Sequence, residues 1–131
     1  MACLDTNVIL NYIHGNETVR KLVDAYAEAE AITTTSVTRF EILCAPDQAE
    51  RQLGIEFLNQ IKVYDFDRKS AEIAAHRYRK LKSAGTLIGD TDIMIASIAG
   101  ANDETLITQD SDFERIKSGR IVIIKEKITK A

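Results

Sequence analysis

Carboxylates stand at the ends of four apolar segments that lie far apart in this sequence, and no other residues suggest chemistry as strongly. They are Asp5, Glu41, Asp90, Asp92, Asp110 and Asp112. Two carboxylates about 5 Å apart repel each other by about 3 kcal/mol at an effective dielectric of about 20, so a cluster of them needs a counter-charge. Carboxylate oxygens are the ligands that Mg²⁺ and Mn²⁺ prefer. If the fold brings these acids together, they form a divalent metal site.

Other kinds of catalytic site find little support in the sequence. His14 and His76 each lack a second ligand at metal-binding spacing, which argues against a zinc site. There is no serine, cysteine or histidine constellation for nucleophilic catalysis, so a metal would have to activate the attacking water. Cys3 and Cys44 are expected to be reduced, buried thiols of a cytoplasmic protein.

Strands alternate with helices along the chain, and this alternation must position the acids. Strands are predicted at 2–5, 31–34, 62–64, 105–108 and 121–124. Helices are predicted at 17–29, 38–44, 47–60, 67–83 and 91–100. The alternation predicts an α/β fold, with a mainly parallel sheet between helical layers. Ligands of such sheets bind beyond the carboxyl ends of the strands, where Asp5 and Asp110 would lie.

Length and composition predict one globular domain over residues 1–131. The chain has 131 residues, of which 45% are apolar, and a single proline. No apolar segment approaches the roughly 18 residues of a membrane span, and the N-terminus does not have the pattern of a secretory signal. We therefore expect a cytoplasmic protein with no membrane association.

Several of the acids also suit a structural role at a helix start. Asp5 and Asp90 are placed to act as helix N-caps, and Thr38 with Glu41 matches a capping box. Ser111 or Asp112 is expected to cap a short helix around 111–116, which leaves Asp110 as a metal ligand. Asp92 differs, because it lies in the first turn of an apolar helix, where a charge is costly unless it is compensated. The helix dipole stabilises such a charge by only about 0.3–1 kcal/mol, so a functional role of Asp92 is favoured.

The order and spacing of the four motifs resemble the PIN-domain nucleases, and most closely the VapC-type toxins of toxin–antitoxin pairs. The motifs are LDTN at 4–7, the helical acid at 41, IGDTDIMIA at 88–96 and LITQDSDF at 106–113. The resemblance implies a three-layer α/β/α sandwich and a Mg²⁺- or Mn²⁺-dependent endoribonuclease. It also implies inhibition by a small antitoxin protein and a homodimeric state.

The resemblance assigns roles to individual residues. Its acidic quartet, which is both catalytic and metal-binding, corresponds to Asp5, Glu41, Asp92 and Asp110. Its accessory positions correspond to Thr6, Asn7, Asp90, Thr108 and Asp112. Basic residues near the acidic motifs are candidates to hold RNA phosphates, namely Arg39, Lys80 and Lys82. Taken alone, the basic segment 77–82 favours a solvated helix face.

Three other functions are alternatives to the nuclease. A haloacid-dehalogenase-type phosphatase needs a second acid two residues after the first, where this chain has Asn7. A non-catalytic PIN-like RNA-binding module would tolerate the loss of one acid of the quartet, yet all four are present. A PIN nuclease that acts in RNA maturation without an antitoxin stays open.

Overall fold

Five parallel strands form the centre of the protein, as the sequence predicts. The computed structural model describes residues 1–125. The strands are β1 (Ala2–Leu4), β2 (Ile32–Thr35), β3 (Lys62–Tyr64), β4 (Thr105–Thr108) and β5 (Arg120–Ile123). Their order in the sheet is β3-β2-β1-β4-β5, and every neighbouring pair is parallel. The central strand, β1, is completely buried, which explains its uninterrupted apolar run.

Helices cover both faces of the sheet. They are α1 (Thr6–Ile13), α2 (Glu17–Ala29), α3 (Ser36–Leu43), α4 (Gln48–Leu58), α5 (Arg68–Ser83) and α6 (Asp90–Ala101). Side chains alternate between the two faces of a strand, so Leu4 joins the core formed with α1 and α2. Cys3 joins the opposite core, which is formed with α6. The predicted three-layer α/β/α sandwich is therefore confirmed. Within the described part of the chain, no helix has the length and apolar character that crossing a bilayer demands.

Helix α1 was not predicted from the sequence, although Asp5 was expected as a possible N-cap. This helix has only eight residues and follows β1 without a connecting loop, so no turn signal separates the two elements. It buries Val8 and Ile9 against the sheet, and this packing stabilises a helix that would be too short to form alone. The other predicted elements lie within about two residues of the observed ones, the usual uncertainty of helix and strand ends.

Three predicted capping roles are wrong. Thr35 at the end of β2 caps α3 by accepting a hydrogen bond from the Thr38 N–H, so no capping box forms between Thr38 and Glu41. Gly89 rather than Asp90 occupies the N-cap of α6, and Asp90 is its first residue. The short helix is a 3₁₀ helix that is capped by Asp110, not by Ser111 or Asp112. In each case the capping residue lies one to three positions earlier than the sequence pattern suggested.

The two cysteines lie in different environments. Cys3 is buried as predicted, and burial raises the pKa of its thiol to about 12. Cys44 is exposed, so the prediction of two buried thiols is wrong for this residue. It lies at the C-cap of α3, where the helix has ended and no neighbouring element covers it.

Candidate active site

The four acidic motifs meet at the carboxyl end of the sheet. Asp5 follows β1 directly, and its N–H donates to the carbonyl of Ile107 in β4, 2.9 Å away. Asp110 lies two residues beyond the end of β4. Because β1 and β4 are parallel neighbours, these acids share one edge, as predicted. The first residues of α3 and α6 lead from the same region to Glu41 and Asp92. The charges of Glu41 and Asp110 act on both Asp5 and Asp92.

Asp5 is the buried centre of the site, with only 3% of its surface exposed. Its two carboxylate oxygens accept hydrogen bonds from the Thr6 N–H at 2.8 Å and from the Thr108 hydroxyl at 2.6 Å. Burial raises its pKa to about 6, the two hydrogen bonds oppose the increase, and the charges of Glu41 and Asp110 add to it. The expected N-cap is therefore present, but it coexists with an uncompensated charge.

Glu41 is oriented by a residue that follows Asp5 in the chain. The Thr6 hydroxyl donates to Oε1 of Glu41 at 2.7 Å, across 35 positions of sequence. The first turn of α1 therefore connects β1 to α3. This contact explains why Glu41 turns toward Asp5 instead of back to the start of its own helix.

Asp92 is half-buried in the first turn of α6. Its pKa is raised to about 6, first by burial and then by the negative charges of Asp5, Asp110, Glu41 and Asp112. All of these influences act in the same direction. A side chain placed at Gly89 would have its Cβ 3.4 Å from Oδ2 of Asp92, so the glycine leaves the carboxylate room.

Hydroxyl and amide groups hold the fourth motif against the first. The Thr108 hydroxyl also accepts the N–H of Asp110 at 3.1 Å, so it joins both acids. Asn7 accepts the N–H of Gln109 at 3.2 Å. The side-chain amide of Asn11 donates to the side chain of Gln109. Asn7 was predicted from the sequence, whereas Asn11 and Gln109 were not. Asn7 and Asn11 are four positions apart and so lie on the same side of α1, which can be inferred only once this segment is known to be a helix.

The remaining predicted residues lie in different places. Asp112 is half-buried and its charge contributes to the raised pKa of Asp92, whereas Asp90 is exposed. Arg39 is half-buried on α3, two residues before Glu41.

Lys80 and Lys82 are both exposed on α5, but they have different surroundings. Lys80 lines a separate cavity that contains no member of the quartet. The ammonium group of Lys82 lies 5.8 Å from the ring centre of Tyr78.

The donor set suits a hard, hydrated cation. Among residues 1–125, no group of three or more histidine, cysteine, aspartate or glutamate side chains is close enough together to hold a metal ion as the side chains stand. Mg²⁺ does not need a closed cage of protein ligands, because it commonly binds through one or two carboxylates and keeps several waters. Burial first, and then the charges of neighbouring acids, raise the pKa values of Asp5 and Asp92, so a bound cation would be favoured here. The residues therefore fit an open Mg²⁺ or Mn²⁺ site.

Comparison with known proteins agrees with this arrangement. The sequence model of the PIN domain family matches residues 2–119. Ribonuclease VapC3 of Methanocaldococcus jannaschii is 33% identical over 98 residues, which cover 74% of this chain and 96% of that protein. The tRNA(fMet)-specific endonuclease VapC of Salmonella typhimurium is 29% identical over 125 residues, 90% of this chain and 93% of that protein.

Solved structures show the same fold. VapBC2 of Rickettsia felis, bound to a DNA fragment from its promoter, superposes with a TM-score of 0.81 at 23% identity, over 93% of this chain and 97% of that chain. DNA-bound VapBC of Salmonella typhimurium superposes with a TM-score of 0.78 at 25% identity, over 93% and 96% of the two chains. The match of the family model to residues 2–119, together with the acidic cluster at the sheet edge, shows that this chain belongs to the PIN domain family.

Proposed function

We propose that this protein is a Mg²⁺- or Mn²⁺-dependent endoribonuclease and the toxin of a toxin–antitoxin pair. The observation that carries the proposal is the convergence of Asp5, Glu41, Asp92 and Asp110. Burial and then the charges of neighbouring acids raise the pKa values of Asp5 and Asp92. The chain acts as one domain over residues 1–131 in the cytoplasm. The names of the curated VapC relatives, which are ribonucleases and an endonuclease, support RNA as the substrate.

Each residue of the site has its own role in the proposed reaction. Asp5, Glu41 and Asp92 would hold the metal, and Asp110 would help to hold a second ion or would orient the attacking water. A bound divalent cation would lower the pKa of that water and neutralise charge on the phosphodiester. Thr108 fixes one oxygen of Asp5, and Thr6 fixes Glu41, so both ligands are positioned before the substrate arrives. In-line attack leaves a 5′-phosphate and a 3′-hydroxyl. Arg39, Lys80 and Lys82 contact phosphates of the RNA.

The proposed partner is a small antitoxin protein. Two of the structures that share this fold are VapBC complexes, which supports an antitoxin partner. We also propose a homodimer, which rests on the family resemblance alone. An arginine of the antitoxin would satisfy the excess negative charge of the site through charge-assisted hydrogen bonds. The alternative is a PIN nuclease of RNA maturation, which would have no such partner.

Co-expression with the small protein encoded next to this chain tests the proposal. We expect the chain alone to cleave RNA when Mn²⁺ is added and to stop when EDTA is added. We expect the co-expressed protein to co-purify and to suppress cleavage. Cleavage without binding by the neighbouring protein would favour the maturation nuclease, and no cleavage under any metal condition would contradict the nuclease.

Replacing Thr6 tests whether the first turn of α1 positions Glu41. We expect Thr6→Val, which removes the hydroxyl donor at nearly constant volume, to weaken Mn²⁺ binding and RNA cleavage by roughly 10- to 100-fold. Thr6→Ser keeps the donor and should retain most of both. Mn²⁺ titrations followed by cleavage rate give the comparison, and equal metal dependence of wild type and Thr6→Val would contradict it.

A further inference from the structure

A second cavity, of about 440 Å³, opens on the flank of the molecule between α5 and the segment that follows the 3₁₀ helix. Four cationic side chains line it, and they are Arg77, Lys80, Arg115 and Lys117. One acidic side chain, Glu114, is present among its described lining residues. The carboxylate of Glu114 lies 3.6 Å from the ammonium group of Lys125, so it is already engaged with another cation. The cavity therefore has a net positive charge.

Arg77 lines both this cavity and a much smaller one beside it. It is half-buried, and its Nη1 atom is buried without a hydrogen-bond partner among the described residues. Burial lowers the pKa of its guanidinium group. Arg77 and Glu104 border the same space of about 10 Å³, which is close to the room of one water molecule, and the Oε2 atom of Glu104 is likewise buried without a hydrogen-bond partner among the described residues. Arg77 also lines the larger cavity, where an anion that reaches its guanidinium group gains strong charge-assisted hydrogen bonds.

The basic segment of α5 presents two different faces. Arg77 and Lys80 are three positions apart and are neighbours on the helix surface, and both line the cavity. Arg79 lines none of the three cavities that border this helix. The sequence pattern alone treated the whole segment as one basic surface. The fold places only part of it at the cavity.

Two short segments connect this cavity to the acidic cluster. The loop that begins at Thr86, on the cavity wall, leads into α6 and Asp92. The 3₁₀ helix runs from its cap Asp110 to Arg115, and at about 2.0 Å per residue this spans about 10 Å. One strand of nucleic acid is therefore long enough to cross both places. The cavity wall also includes Leu81 and Ile116, which give an aliphatic surface beside the cations.

We propose that this cavity is an RNA subsite, in which Arg77 and Lys80 bind a backbone phosphate of the strand that is cut at the acidic cluster. The aliphatic wall contacts the sugar and base of the same nucleotide. The inference rests on the proposed nuclease function and adds a residue, Arg77, and a place for the substrate beyond the scissile bond. The cavity would therefore recognise a phosphodiester monoanion together with the sugar and base of the same nucleotide.

Binding of a labelled single-stranded RNA, measured by fluorescence anisotropy in EDTA, tests the subsite without cleavage. We expect Arg77→Gln and Lys80→Gln each to weaken binding by roughly 5- to 20-fold, and to reduce the slope of log K against log salt by about 0.7. Arg79→Gln removes the same charge from the same helix and should change affinity by less than about twofold. Lys80 is exposed, so Lys80→Gln keeps the test valid if Arg77→Gln does not fold.

Other outcomes would overturn the proposal. If both variants bind RNA as Arg79→Gln does while wild type cleaves RNA with Mn²⁺, the subsite is wrong and the nuclease stands. If the slopes change as expected but no metal supports cleavage, the subsite stands and the nuclease fails. If inorganic phosphate displaces the RNA at an equal phosphate concentration, the cavity is a free-phosphate site. If the variants weaken only the complex with the co-purifying protein, the cavity binds protein carboxylates.

Discussion

Asp92→Asn should reduce metal-dependent RNA cleavage by roughly three orders of magnitude while the protein stays folded. Asp92 is half-buried and surrounded by the charges of Asp5, Asp110 and Glu41, so its own charge persists at a high energetic cost. A metal removes that cost, and an asparagine binds the metal weakly because it is neutral. Cleavage of a labelled RNA at saturating Mn²⁺, with circular dichroism to verify folding, gives the measurement.

Asp103→Asn is the matched control, because it makes the same chemical change just beyond the other end of α6. Asp103 has a φ of 55°, a backbone conformation that asparagine adopts readily, and its ion pair with Arg120 is exposed. The cleavage activity of Asp103→Asn should stay within about twofold of wild type.

Asp110→Asn should reduce cleavage more than Asp112→Asn does. Undiminished cleavage by Asp92→Asn would remove Asp92 from the metal site.

The second large effect concerns stability without metal, where Asp92→Asn should unfold at a higher temperature than wild type. The leading influences on the Asp92 carboxylate are burial and repulsion by other acids, and all of them disfavour its charge. Removing the charge should stabilise the metal-free protein by about 1–2 kcal/mol, because water screens the exposed part of the carboxylate. Asp5→Asn should gain less, because Asp5 accepts two hydrogen bonds that suit a carboxylate.

The pH dependence of this effect has a definite sign. The pKa of Asp92 rises from 3.8 to about 6 on folding, so between these values the native state binds more protons than the unfolded state. The repulsive penalty is therefore absent below about pH 4, grows up to about pH 6 and is complete above it. The difference in melting temperature between Asp92→Asn and wild type should be small at pH 4 and largest near pH 7.

Mn²⁺ should reverse the order of the two proteins. A metal that binds only the native state stabilises it by about 2.7 kcal/mol at 100 times its Kd, which wild type gains and Asp92→Asn largely loses. Thermal melts of both proteins with Mn²⁺ and with EDTA, alongside Asp103→Asn, provide the comparison. A metal-free variant that melts below wild type, together with a wild type that does not respond to Mn²⁺, would show that the acids are structural.

The alternation of apolar strands and helices determined the parallel sheet, and with it the edge at which Asp5 and Asp110 meet. That inference succeeded because backbone periodicity is local, and because parallel strands have their carboxyl ends at one edge. The sequence also pointed to Asp92, because a charge in the first turn of an apolar helix is energetically costly unless it is compensated.

Tertiary structure alone decided which partner each polar group takes. Thr6 donates to Glu41 across 35 positions, and Thr108 donates to Asp5 across 103, so no local pattern records either contact. The same holds for α1, which its packing against the sheet stabilises. The fold also decided the surroundings of Arg77, because nothing in the sequence distinguishes this half-buried cation from the exposed ones beside it. Side chains choose partners by proximity and burial, and only the folded chain defines both.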